Sequence, residues 1–215
     1  MWQRFQAMLT PGVRWLLILL VGAWLLTVIG GALHLFDLAG WLALSGPTFW
    51  HGQVWRLVTY PLLPFGILDL MMNCIALIML GGQLERFWSR GDFWFYAALT
   101  AAGAGLVKVC LQPSAGTPLT GAAPMMFGLL AAWAFLQGRE RVHLAPIGEV
   151  TVWQICLVAA GISFLIMLTT AGTVRALVMI AGGVTGFAYL WLRQKWLMSR
   201  DSRVVHSERI NRLEL

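Results

Sequence analysis

Charged residues are scarce in this chain, and so are cysteine and histidine. Of its 215 residues, 11% are charged, and there are 9 acidic residues, 3 cysteines and 4 histidines. The cysteines are too few for a disulfide framework and lack metal-ligand spacing. The histidines do not cluster into a metal site. We therefore expect neither a metal nor a cofactor. No basic run alternates with aromatic residues, so we expect no nucleic-acid binding.

Hydrophobic residues make up 59% of the chain. A membrane-spanning helix needs about 20 apolar residues. Six segments come close to that length, and the first has no cleavage site after it, so we expect it to be retained. The predicted fold is an all-α bundle of six transmembrane helices over 14–196, after an N-terminal interfacial segment (1–13) and before a basic tail (197–215). The predicted spans are Trp15–Phe36, Ile67–Leu84, Phe93–Leu111, Leu119–Leu136, Val150–Thr169 and Val174–Trp191.

The basic residues predict the orientation of the bundle. Of the 15 lysines and arginines, all but Arg56, Lys108 and Arg175 flank the side that carries both termini. Because lysine and arginine are enriched on the cytoplasmic side, both termini are expected in the cytoplasm. The predicted location is a plasma membrane, such as the bacterial inner membrane. The tail is expected either to lie on anionic lipid as an amphipathic helix or to be a solvated, disordered segment.

The first loop, 37–54, is too polar to cross a membrane and too apolar to be a solvated loop. Its tryptophans, with Trp55 just after it, suit headgroup depth, so the segment is predicted to lie in the interface. Arg56 follows directly. An arginine can satisfy several backbone carbonyls at once, which an irregular segment at membrane depth requires.

Polar residues inside the spans are the first functional candidates. Asp69 and Asn73 are four residues apart and share one helix face. A carboxylate within a span suggests function or a buried pair. Lys108 lies at similar depth on the third span, so an Asp69–Lys108 interaction is expected, unless Asp69 lies close enough to the surface to stay hydrated. Glu85, beside Arg86, is expected to organise the cytoplasmic end of the second span by hydrogen bonds.

The fourth and sixth spans are expected to pack closely against each other through four glycines, Gly121, Gly128, Gly182 and Gly186. Thr120 and Gly121 open the fourth span, and Gly128 follows two turns later. Thr120 is interpreted either as a nucleophile or, more simply, as a helix N-cap. On the sixth span a small-xxx-small face starts at Gly182 and ends at Gly186.

Taken in order, these motifs resemble the rhomboid intramembrane proteases, over the stretch from Trp55 to Trp191. In that family a Trp-Arg pair anchors the first loop, and the asparagine that Asn73 matches helps to form the oxyanion hole. The family has serine where this chain has Thr120, and histidine where it has Met179. A thioether takes no proton at neutral pH, so Met179 cannot act as a general base.

Two further positions depart from the family: Pro64 and Asp69 stand where it often has histidine. The resemblance therefore implies a pseudoprotease, with no catalytic residue, that binds transmembrane helices of client or partner proteins in the bilayer for quality control, trafficking or complex assembly. One alternative is an active protease that uses Thr120, with water or Asp69 assisting. Another is a structural subunit that makes contacts through its methionines, Met71, Met72, Met79, Met125 and Met126.

Overall fold

A computed structural model describes residues 10–34, 37–144 and 148–211. Most of the predicted interfacial segment (1–13) lies outside these residues. The side chains of 142–144, 148, 171 and 200–211 are likewise outside the description. The described chain is an all-α membrane bundle, as predicted.

Six helices of the described chain correspond to the six predicted spans. Five are long and apolar enough to cross a membrane, and the other, α4, has 15 residues. At 1.5 Å per residue α4 is only about 22 Å long. We label the helices α1 (Pro11–Ala32), α2 (Ile67–Phe87), α3 (Arg90–Leu111), α4 (Ala123–Gln137), α5 (Val152–Ala171) and α6 (Thr173–Asn211).

Five helix starts differ from their predicted positions, two of them by four residues. Helix α1 begins at Pro11 rather than Trp15, because proline is well suited to the first position of a helix. Helix α4 begins at Ala123 rather than Leu119, because Leu119 forms an antiparallel bridge with Leu44 of the first loop. The backbone N–H of Leu44 donates to the carbonyl of Leu119 at 3.1 Å, and the reverse bond measures 2.6 Å.

The bundle has a packed centre and a loose edge. Helices α3, α4 and α6 meet around buried aromatic rings, and the Tyr96 hydroxyl donates to the Gly128 carbonyl at 2.7 Å. In the most apolar 18-residue stretch of α3, 44% of the residues are buried, against 11% in that of α5. Helix α5 is therefore the least buried of the five membrane-length helices and lies at the periphery of the bundle.

The first loop contains two short helices, Leu38–Leu42 and Gly46–Trp50, and a third, Arg56–Thr59, follows it directly. A capping box fixes the second one, because the side chain of Ser45 and that of Thr48 each accept from the other's backbone N–H. Trp41 and Trp50 project outward and are 68% and 67% exposed. That arrangement is typical of tryptophans at a membrane interface.

Two features on the side of the bundle that carries the C-terminus were not predicted. The loop after α4 forms an antiparallel hairpin of Arg141–Leu144 with Gly148–Thr151. Helix α6 runs for 39 residues without a break. It is about 58 Å long, against roughly 30 Å for a hydrocarbon core. The predicted boundary between bundle and tail, at residue 197, therefore falls inside α6.

Candidate functional site

The polar pair on α2 finds its hydrogen-bond partners within the helix and in the segment just before it. The Asn73 side-chain amide donates to Asp69 Oδ1 at 3.0 Å, and the backbone N–H of Phe65 donates to Asp69 Oδ2 at 3.0 Å. Asn73 is buried. The carboxylate thus occupies a side-chain donor of Asn73 and fixes the segment that precedes α2.

The expected interaction between Asp69 and Lys108 is wrong. The Lys108 ammonium donates instead to Gln112 Oε1, and at 3.4 Å to Thr117 Oγ1. Lys108 lies in the last turn of α3, where the side chain four residues later is its nearest neighbour. Asp69 and Lys108 therefore each form hydrogen bonds with residues nearby in the sequence, and these bonds offset the cost of burying their polar groups.

The Thr120-Gly121 turn lies before α4, not within it. The N-cap position belongs to Ala122, so the interpretation of Thr120 as an N-cap is wrong. Gly121 has φ +100°, a conformation that favours glycine. A Cβ built at Gly121 would lie 3.6 Å from the Phe65 ring and 3.7 Å from Asp69 Oδ2. The turn therefore faces the polar pair of α2. Within the described part of the chain, no side chain is hydrogen-bonded to Thr120.

Met179 lies on the segment of α6 that faces this turn. Its side chain is buried, with 2% exposed. Two contacts bracket it. One turn earlier, Arg175 Nη2 donates to the Pro118 carbonyl at 3.3 Å. One turn later, Gly182 packs against the backbone of Pro124. Since Thr120 lies between Pro118 and Pro124, Met179 and Thr120 belong to facing segments, and their direct contact stays a prediction.

The packing glycines divide their contacts among three helices. A Cβ at Gly182 would overlap with the Pro124 carbonyl oxygen, so this glycine allows α4 and α6 to approach closely. Gly128 packs instead against Thr100, and Gly186 packs against Tyr96, both on α3. The expectation that all four glycines serve the α4–α6 contact is therefore wrong, because Gly128 and Gly186 pack against α3.

Two residues that sequence reasoning missed cover the turn. The Arg175 guanidinium lies over the Phe65 ring, 4.4 Å from its centroid. The ring in turn lies beside Gly121. Arg175, Phe65 and the turn therefore form three layers. Nothing in the sequence indicates this arrangement, because Phe65, just before α2, and Arg175, in the first turn of α6, are 110 positions apart.

Arg56 holds the first loop to the bundle. Its Nη1 donates to the carbonyls of Gly40 at 2.5 Å and Ala43 at 2.6 Å. Thr59 adds a hydroxyl bond of 3.2 Å to the Leu42 carbonyl. Burial lowers the pKa of Arg56 from its ordinary value. The neighbouring Trp55 is half exposed. Arg56 is therefore an anchor for the loop backbone.

Glu85 caps the start of α1 at the opposite side of the bundle. Its carboxylate accepts the N–H groups of Gly12 at 2.8 Å and Val13 at 3.0 Å. It also lies 4.0 Å from Arg90. Negative charge stabilises a helix N-terminus, which carries unpaired N–H groups. The role of Glu85 is therefore structural, and it joins α2 to α1.

Comparison with known proteins gives two matches. The Rhomboid domain family model matches residues 51–196. The rhomboid protease GluP of Bacillus subtilis (strain 168) is 26% identical over 141 residues, which cover 65% of this chain and 27% of that protein. The chain thus spans about a quarter of the length of this curated relative.

Proposed function

The chain belongs to the rhomboid family, and on that premise we propose that it is a member without proteolytic activity that binds the transmembrane helices of other membrane proteins. On this proposal it lies in the bacterial inner (plasma) membrane, with both termini in the cytoplasm.

The observation that carries the proposal is the chemistry around the Thr120-Gly121 turn. Peptide cleavage by a hydroxyl needs a general base for the nucleophile and free donors for the oxyanion. Met179 occupies the position of the base and takes no proton. One of the two side-chain N–H donors of Asn73 is bonded to Asp69. Thr120 therefore lacks a base at that position, and an oxyanion that accepts from Asn73 would lie close to a carboxylate, whose negative charge opposes it.

The binding part of the proposal is supported by an exposed stripe on α2. Its members are each at least half exposed and recur at i, i+3, i+4, i+7 and i+11; they are Leu68, Met71, Met72, Ile75 and Met79. Methionine adapts to partners of different shape, which suits a surface that receives several helices. Met125 and Met126 are buried instead, so they are core residues and not contact residues.

Site-specific photocrosslinking in membranes tests this proposal. A photoreactive residue at Met72 is expected to capture single-span membrane proteins that remain intact. Ile18 on α1 serves as the matched control, because it is also apolar and is 52% exposed. Replacing Met71, Met72 and Met79 with leucine keeps the hydrophobicity but reduces adaptability, so captured yield should fall. Equal capture from Met72 and Ile18 would contradict a dedicated binding face.

One observation favours an alternative, in which Thr120 is an active nucleophile. Asp69 Oδ2 lies close to Gly121, so a carboxylate is present beside the turn. If Asp69 served as base, cleavage would occur and would be lost in both Thr120→Ala and Asp69→Asn. On our proposal neither substitution changes any cleavage above background.

A further inference from the structure

A polar cavity lies beneath the first loop, away from the Thr120-Gly121 turn. It has a volume of about 250 Å³ and is lined by Asp37, Gly40, Trp41, Gln53 and Arg56. A second cavity, of about 320 Å³, lies at the end of α1 and shares Asp37 as a wall. The two cavities therefore meet at one carboxylate, where α1 joins the loop.

Opposite charges line the first cavity without pairing. Asp37 accepts a backbone N–H from Gly40 at 2.9 Å, and no ion pair joins it to Arg56 among the described residues. Arg56 is only 6% exposed, yet its Nε has no hydrogen-bond partner. The buried Gln53 Oε1 also has none. A buried donor and acceptor left unpaired cost free energy, so each such pair requires an explanation.

We propose that this cavity binds the phosphoethanolamine headgroup of a membrane phospholipid. The guanidinium of Arg56 recognises the phosphate, since arginine and phosphate form strong charge-assisted hydrogen bonds. Asp37 and Gln53 accept from the primary ammonium. A choline headgroup has no N–H to donate, and a phosphoglycerol headgroup carries no positive charge to meet Asp37.

The surroundings supply the rest of a lipid site. Trp41, on the wall of the cavity, is 68% exposed, as suits a residue at headgroup depth. Ile29, in the last turn of α1, and Leu33, just after it, are 49% and 60% exposed. They are neighbours in sequence of Gly30, Gly31 and His34, which line the second cavity, and they offer an apolar surface for acyl chains. Lipid binding at this cavity requires no peptide cleavage at the Thr120-Gly121 turn.

Native mass spectrometry of the full chain, titrated in detergent with defined lipids, tests the site. Phosphatidylethanolamine is expected to bind one molecule per chain about tenfold more tightly than phosphatidylcholine or phosphatidylglycerol, the factor that 1.4 kcal/mol represents. Free phosphoethanolamine, added in excess, distinguishes the headgroup from the whole lipid: it should compete weakly, because it lacks the acyl chains.

Asp37→Asn removes the charge but keeps an oxygen for the Gly40 N–H, so the protein should fold and lose the lipid preference. Glu149→Gln, an exposed carboxylate on the hairpin, is the matched control and should keep it. Gln53→Leu provides an independent variant and should also weaken the preference. Equal binding of the three lipids, tighter binding of phosphatidylglycerol, or a preference unchanged in both Asp37→Asn and Gln53→Leu would overturn the proposal.

Discussion

The contact between α4 and α6 makes Gly182→Ala the sharpest test of the packing. A Cβ at this position would overlap with the Pro124 carbonyl oxygen and lie 2.8 Å from its carbon and 3.2 Å from Pro124 Cα. All three are backbone atoms, so no rotamer change relieves the overlap. The two helices must move apart, which typically costs about 1–3 kcal/mol.

Alanine also favours a helix over glycine by up to about 1 kcal/mol, which partly offsets that loss. Gly161→Ala on α5 separates the effect of helix propensity from that of the overlap. A Cβ built at Gly161 has nothing within 4 Å, so this variant gains the helix propensity of alanine without any overlap. The difference between the two variants therefore reports the contact alone.

Reversible unfolding in mixed detergent micelles, followed by the fluorescence of the 12 tryptophans, measures this difference. We expect Gly161→Ala to be neutral or slightly more stable than the natural protein. Gly182→Ala should be less stable than Gly161→Ala by about 1–3 kcal/mol. Equal free energies of unfolding for the two variants would refute the close approach of α4 and α6 at Pro124.

Three further predictions test other parts of the bundle. Glu85→Gln should lower the free energy of unfolding by about 1–2 kcal/mol, because the start of α1 loses a capping charge; an unchanged value would contradict the cap. Cysteines replacing Thr120 and Met179, in a background without the native cysteines, should crosslink with a short reagent. Absence of the crosslink in folded protein would contradict the prediction that these two residues face each other. Reporter fusions at both termini and at position 143 should report cytoplasm, and those at 115 and 172 the other side; a C-terminus on the other side would contradict the topology.

The spans were predictable because each is a long apolar segment, and apolar length is a local property of the sequence. Their ends were less so, because they depend on contacts between distant segments. Leu119 continues the apolar run of α4, yet it pairs with Leu44 and leaves the helix to start at Ala123. The hairpin after α4 was missed because a short polar loop carries little strand pattern.

The candidate site shows the same division. The resemblance identified Asn73, Thr120 and Met179 from motif order alone. It could not identify the partner of Asp69, because an amide four residues away on the same helix competes with any cation on another helix for this carboxylate. Nor could it identify Phe65, whose ring covers the turn only after α2, α4 and α6 have come together.

The chain belongs to the rhomboid family, and we propose that it lacks the family's proteolytic chemistry. The most direct measurement incubates the purified protein in liposomes with a rhomboid model substrate and, separately, with a serine-directed probe. We predict intact substrate and no labelling of Thr120. We also predict little activity from Thr120→Ser with Met179→His, since Pro64 and Asp69 still alter the oxyanion side of the site and catalytic groups need placement to roughly 0.5 Å. Cleavage by the natural protein that disappears in Thr120→Ala would contradict the account.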